Sequence, residues 1–195
     1  MSAKRMVRGT LILGLGFFSL IAQTLLFRDF LTAFEGNELG IGSFFASWLL
    51  WVGLGAVGGR WAAQRLSGLT ERFALTALLY LPAFALQHEL LLSARSLSGV
   101  AAYEVFPFGR MFAVSLIVNA PISFTTGLLF TLACRWAASR SPGVKGSEGE
   151  TIDAAGLPVA RVYILETFGS FIGGLLVTVW LARGLPAERI ALVAG

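Results

Sequence analysis

The chain has 195 residues, 56% of them hydrophobic and 13% charged, with a mean hydropathy of +0.76 and a formal net charge of +4. Soluble domains average about 25% charged residues, so a chain this apolar lacks the polar surface that a fold in water requires, and lipid is the solvent that accounts for it. The 15 basic residues are scattered over short hydrophilic breaks, which excludes nucleic acid as a partner; Cys134 and His88 are each alone, which excludes an intrachain disulfide, a cysteine-based zinc cluster and bis-histidine haem ligation.

A membrane-spanning helix needs about 20 mostly apolar residues, and five runs are read as spans on that basis. The first covers Thr10 to Phe27, between Arg8 and Arg28. Its basic start resembles a signal peptide. Arg28-Asp29 follows where small residues would mark a cleavage site, so a retained helix is expected. The second run extends from Leu39 to Gly59 and stops at Arg60, and the third from Phe73 to Ser93. Between the third and fourth, Ala94 to Arg110 mixes apolar residues with Arg95, Glu104 and Pro107, as an interfacial amphipathic turn would. The fourth run covers Met111 to Cys134.

Ser139 to Gly156 is the longest hydrophilic break (SRSPGVKGSEGETIDAAG) and is expected to be a flexible cytoplasmic loop, too short for a catalytic domain. The fifth run covers Val159 to Ala182. From Arg189 to Gly195 a sixth apolar run begins, which suggests a longer parent chain or a helix completed by a partner. The expected fold is therefore all-α: one polytopic membrane domain over residues 1–195, with five transmembrane helices and the start of a sixth.

Basic residues near helix ends set orientation. With the N-terminus in the cytoplasm, Lys4, Arg5, Arg8, Arg60, Arg65, Arg72, Arg135, Arg140, Lys145 and Arg161 lie inside. Arg28, Arg95, Arg110, Arg183 and Arg189 lie outside. That distribution predicts a bacterial-type inner-membrane protein with a cytoplasmic N-terminus.

Gly53, Gly55 and Gly58 match the dinucleotide fingerprint G-x-G-x-x-G, but the fingerprint belongs after a strand, and here it ends an apolar run. Gly55 and Gly59 instead form G-x-x-x-G, which lets two helix backbones approach in lipid. Gly169 and Gly173 repeat that spacing, and Glu166 shares their face at i, i+3, i+7. Glu166 is the deepest acidic residue of any run. A charged carboxylate at mid-membrane costs on the order of 2.5–3.5 kcal/mol, which calls for a partner or a proton. Two readings of Glu166 stand, a substrate or proton site and a brace between helices.

Asn119, Ser123 and Thr126 form a polar stripe on the fourth run, either lining a cavity or bonding between helices. Pro121 within it removes a backbone donor and predicts a kink. His88 and Glu89 are expected at the outer end of the third run, read first as an interfacial pair and second as a proton relay. Arg28-Asp29, with Glu35 and Glu38, would clamp the first outer loop by local ion pairs. Trp48, Trp51 and Trp180 read as ordinary packing or interface residues. No nucleophile with its base, paired carboxylates or P-loop is present, and no cofactor is expected.

Three stretches carry a family resemblance: Gly16 to Arg60 (GFFSLIAQTLLFRDFLTAFEGNELGIGSFFASWLLWVGLGAVGGR), Pro121 to Arg135 (PISFTTGLLFTLACR) and Val162 to Pro186 (VYILETFGSFIGGLLVTVWLARGLP). Together they resemble the N-terminal membrane region of spermidine-synthase-like integral membrane proteins, the major-facilitator/spermidine-synthase fusion type. The likeness rests on Arg28 closing the first helix before a Gly-Asn-Glu turn, and on the Tyr163, Glu166, Thr167, Gly169 pattern. It covers most of residues 14–195.

Members of that family often carry a soluble aminopropyltransferase-like domain after the membrane region, and none lies within these residues. The resemblance thus implies a non-catalytic anchor or accessory membrane subunit, with lipids and other membrane subunits or further helices as partners. The alternatives are transport of a small cation such as a polyamine through Glu166 and the Asn119–Thr126 stripe, and a membrane-bound partner of an aminopropyltransferase on another chain.

Overall fold

The computed structural model describes residues 3–34, 36, 38–65, 73–101, 104–138, 151–185 and 189. Its elements are α1 (Ala3–Ala33), α2 (Glu38–Arg65), α3 (Phe73–Ala77), α4 (Tyr80–Leu92), α5 (Ala94–Ser98), α6 (Phe108–Val118), α7 (Ala120–Ala138) and α8 (Thr151–Ala182). No strand occurs among the described residues.

Among the described residues three stretches are long and apolar enough to cross a bilayer unbroken: Gly9–Ala33, Glu38–Arg65 and Val159–Ala182, of 25, 28 and 24 residues. At about 1.5 Å per residue each exceeds the roughly 30 Å hydrocarbon core. A fourth crossing exists if α6 and α7, bent by 48° at Asn119, act as one. Among the described residues the chain is thus an all-helical membrane protein, with three or four candidate spans in place of the expected five and the start of a sixth. Residues 190–195 lie outside the described residues.

Both departures from straight spans occur just before a proline. The third apolar run divides at Leu78-Leu79 into α3, of 5 residues, and α4, of 13. Pro82 explains the break. Its ring would clash with the Leu78 carbonyl and it has no N–H to offer that carbonyl, so the helix restarts with Pro82 in its first turn. The Leu78 carbonyl accepts instead from Leu81 N at 3.2 Å, and Leu79 N bonds the Thr76 carbonyl at 3.1 Å. A 13-residue helix reaches only about 20 Å, so α4 cannot cross alone. Pro121 acts in the same way on the Ile117 carbonyl, and the kink expected there is the α6–α7 bend.

Other boundaries move as well: the first helix runs past Arg28 to Ala33 and the second past Gly59 to Arg65. Thr151–Gly156, assigned from sequence to the hydrophilic loop, begins α8, while residues 139–150 lie outside the described residues. Between the third and fourth runs, α5 ends at Gly99, whose φ of 64° is the left-handed cap that favours glycine, and the chain extends to α6. There Arg95 donates to the Ala101 carbonyl at 3.0 Å and lies over the Phe106 ring.

The bundle is built from two close helix pairs, α1 with α8 and α2 with α7, and α4 lies against α1 and α7. At one end Phe30, Phe34, Phe44 and Phe106 pack ring to ring, with centroids 4.3–5.1 Å apart. Outward faces are apolar: Leu49 and Val57 on α2 are each 68% exposed, and Ile164 and Phe171 on α8 are 64% and 60% exposed. In water such faces would be an aggregation liability. Acyl chains suit them.

Candidate functional site

The glycines singled out in the sequence lie in the two close pairs. Gly55 and Gly59 of α2 face α7, and a Cβ on Gly59 would fall 2.8 Å from the Leu128 carbonyl oxygen. A Cβ on Gly55 would overlap the Phe124 carbonyl, and one on Gly127 would overlap that of Val52 from the other side. Gly169 and Gly173 of α8 meet Leu13 and Phe17 of α1 in the same manner, and Gly16 of α1 meets the Glu166 carbonyl. Ser170 Oγ donates across this seam to the Gly16 carbonyl at 3.1 Å, and Thr131 Oγ1 across the other to the Ala56 carbonyl at 3.3 Å. These glycine faces are therefore filled within the chain. The dinucleotide-like Gly53–Gly58 stretch sits wholly inside α2.

At the α6–α7 bend lies a buried polar node. Asn119 Nδ2 donates to Ser47 Oγ at 2.7 Å and to the Phe44 carbonyl at 3.3 Å, both on α2. Its Oδ1 accepts from Gln87 Nε2 of α4 at 3.1 Å, and Gln87 Oε1 accepts from Ile122 N at 3.1 Å. Gln87, Asn119 and Ser47 are all fully buried. Ile122 N belongs to the first turn of α7, where backbone donors have no partner within their own helix, so a side chain from a different helix caps it.

Trp51 of α2 performs the matching task on the other side. Its indole N–H donates to the Leu116 carbonyl in the last turn of α6 at 2.7 Å. Trp51 is thus more than the packing residue expected. Trp51→Phe should keep an aromatic ring but lose the indole N–H and part of the side-chain volume, orphan that carbonyl and cost about 1 kcal/mol or more, read as a lower unfolding midpoint in detergent.

The expected Asn119, Ser123, Thr126 stripe does not act as one unit. Asn119 belongs to the node, while the buried Ser123 hydroxyl has no hydrogen-bond partner. Thr126 Oγ1 donates to the Ile122 carbonyl at 2.8 Å and accepts from the Tyr80 hydroxyl of α4 at 2.9 Å, and Tyr80 also bonds the hydroxyl of Ser19 on α1. Glu166 of α8 is half-buried, where the α8 backbone meets Gly16 of α1. Among the described residues it makes no ion pair and no hydrogen bond.

The local clamp expected of Arg28-Asp29 is instead a link between helices. Asp29 Oδ2 of α1 pairs with His88 Nδ1 of α4 at 3.1 Å, and the imidazole stacks on Phe84 with 2° between ring planes. Arg28 and Glu89 are exposed, as is Glu38 in the first turn of α2, where a carboxylate favours the helix N-terminus. Glu35 lies outside the described residues. Hydropathy reading passed over Gln87, Tyr80, Ser47, Ser19 and the Asp29–His88 pair. Gln87 carried a visible signal as an amide inside an apolar run.

Among the described residues no group of three His, Cys, Asp or Glu side chains is placed to hold a metal ion. Fold and interior together define a helical membrane protein whose inward polar groups mostly bond one another. No protein family, curated protein or solved structure matches the chain.

Proposed function

We propose that the chain is a non-catalytic helical membrane module, an anchor or accessory subunit in a bacterial-type inner membrane with its N-terminus in the cytoplasm. The observation that carries this reading is the division of its side chains. Amides and hydroxyls turn inward and are largely spent on bracing helices, through Gln87–Asn119–Ser47 and Ser19–Tyr80–Thr126. The outward faces of α2 and α8 offer mostly apolar surface, to lipid or to further helices. Because the glycine seams are filled internally, partners would meet those broader outer faces. The resemblance to spermidine-synthase-like membrane regions supplies the proposed context, with any aminopropyl transfer performed elsewhere.

An anchor should resist alkaline carbonate washing and hold a soluble reporter fused to its C-terminus at the membrane. Release of the reporter by carbonate would defeat the proposal. The unpaired Glu166 carboxylate favours a second reading, carriage of a small cation. Proteoliposomes bearing the full chain separate the two: an anchor takes up no more labelled spermidine than empty vesicles. Saturable uptake, lost in Glu166→Gln at equal protein level, would replace the anchor with a carrier.

A further inference from the structure

We infer that Asp29 and His88 form a proton-operated latch that ties α4 to α1 at one rim of the bundle. The inference is independent of the anchoring role. His88 Nδ1 and Asp29 Oδ2 stand 3.1 Å apart, each about one turn before the end of its own helix. Asp29 lies about 30 Å beyond Gly9 along the α1 span, so the pair sits where hydrocarbon gives way to headgroups and water. The His88 and Asp29 side chains are 29% and 24% exposed, sheltered enough to bond and open enough to exchange a proton. An ionised carboxylate only accepts, so Nδ1 must carry the shared hydrogen, and the lone pair of the neutral ring falls on Nε2. Phe84, one turn earlier on α4, lies parallel to the imidazole and restrains the plane of the ring.

The step adds a proton at Nε2 and breaks no bond: neutral imidazole becomes imidazolium while the Asp29 carboxylate stays ionised. The link between α1 and α4 thereby gains the attraction of opposite charges, partly shielded from water. Histidine is the side chain whose charge changes between about pH 5 and 8. The tie favours the charged ring, so its stabilisation is present on the acid side of that window and lost as pH rises through it. Among the described residues no charged group on a neighbouring helix pairs with either partner. Arg28 on α1, Glu89 on α4, Glu38 on α2 and Arg110 on α6 are exposed. Arg183 of α8 is level with Asp29, by the register of the Ser170–Gly16 contact, and is exposed too. Arg95 of α5 is committed to the Ala101 carbonyl and the Phe106 ring, and Cys134 and Arg135 lie toward the far end of α7. Tyr80 and Ser19 hold the start of α4 to α1, so the latch governs the other end, which leads into α5.

The test exploits the fact that His88 is the one histidine of the chain. The full chain without a tag, isotope-labelled at the imidazole nitrogens and held in phosphatidylcholine nanodiscs, is followed by NMR from about pH 5 to about pH 9. The alkaline spectrum should show hydrogen on Nδ1 and a bare Nε2, the reverse of the tautomer that free histidine prefers. Asp29→Asn should lower the His88 titration midpoint by about one pH unit, a tenfold loss of proton affinity. In mild detergent the wild-type chain should resist heat better at about pH 6 than at about pH 8. That gain should vanish in Asp29→Asn and in His88→Gln. Hydrogen on Nε2 in the alkaline wild-type spectrum overturns the inference without recourse to any variant. So does a midpoint unmoved in Asp29→Asn, or a gain in heat resistance that survives in His88→Gln.

Discussion

Replacing Gly169 by leucine should separate α1 from α8 and abolish the folded bundle, whereas Gly53→Leu should be tolerated. Both positions lie within long helices, and both substitutions exchange a weak helix former for a strong one, so propensity alone predicts a gain at each. Their surroundings differ. A Cβ on Gly53 meets nothing within 4 Å, while one on Gly169 would collide with the Leu13 carbonyl and the backbone of Phe17. Backbone cannot rotate aside as a side chain does, so the two helices must move apart along the seam. Overpacking of this kind costs about 3 kcal/mol or more, and separation also breaks the Ser170 bond to Gly16. The measurement is size-exclusion chromatography in mild detergent with a thermal ramp. Loss of the monodisperse peak is expected for Gly169→Leu and an unchanged peak for Gly53→Leu. Equal behaviour of the pair would show that α1 and α8 do not pack at Gly169.

Asn119→Leu should destabilise the bundle by about 2–3 kcal/mol, and Gln87→Leu by a similar amount. Each leaves buried polar groups of other helices without partners: the first orphans the Gln87 side-chain N–H and takes a bond from Ser47, the second orphans Ile122 N and Asn119 Oδ1. The double variant removes both sides of the central bond, so its cost should fall clearly below the sum of the single costs. Unfolding in a graded detergent or denaturant series measures all three. Strict additivity would place the two amides in separate environments and contradict the node at the α6–α7 bend.

The local features of the fold were legible in the sequence, and Pro121 is the clearest. A proline within an apolar run removes one donor whatever surrounds it, so a kink followed from the covalent chemistry alone. Pro82 carries the same signal, yet the run from Phe73 to Ser93 read as one span because hydropathy averages over the break and registers no missing N–H. The start of α8 was lost in the opposite direction. Thr151–Gly156 is polar and glycine-containing, so it reads as loop, although helix continues upstream from the span that follows it.

The polar groups show where reading by period stops. Asn119, Ser123 and Thr126 share a face by spacing, yet their partners are Gln87 and Ser47, none, and Tyr80 respectively. Spacing says which side chains point together. It does not say which helix arrives opposite, and the bend after Asn119 turns the start of that stripe away from the rest.

The sequence by itself determined that this chain is helical and belongs in a membrane. It also located the small-residue faces and the one deep carboxylate, because hydropathy, proline chemistry and glycine spacing are properties of neighbouring residues. Only the tertiary structure decided that α1 takes α8 and α2 takes α7, that Gln87 caps the first turn of α7, and that Asp29 reaches His88. In lipid the apolar surfaces of all helices are alike, so pairing rests on close backbone approach and on satisfied hydrogen bonds, and these exist only once distant segments have met.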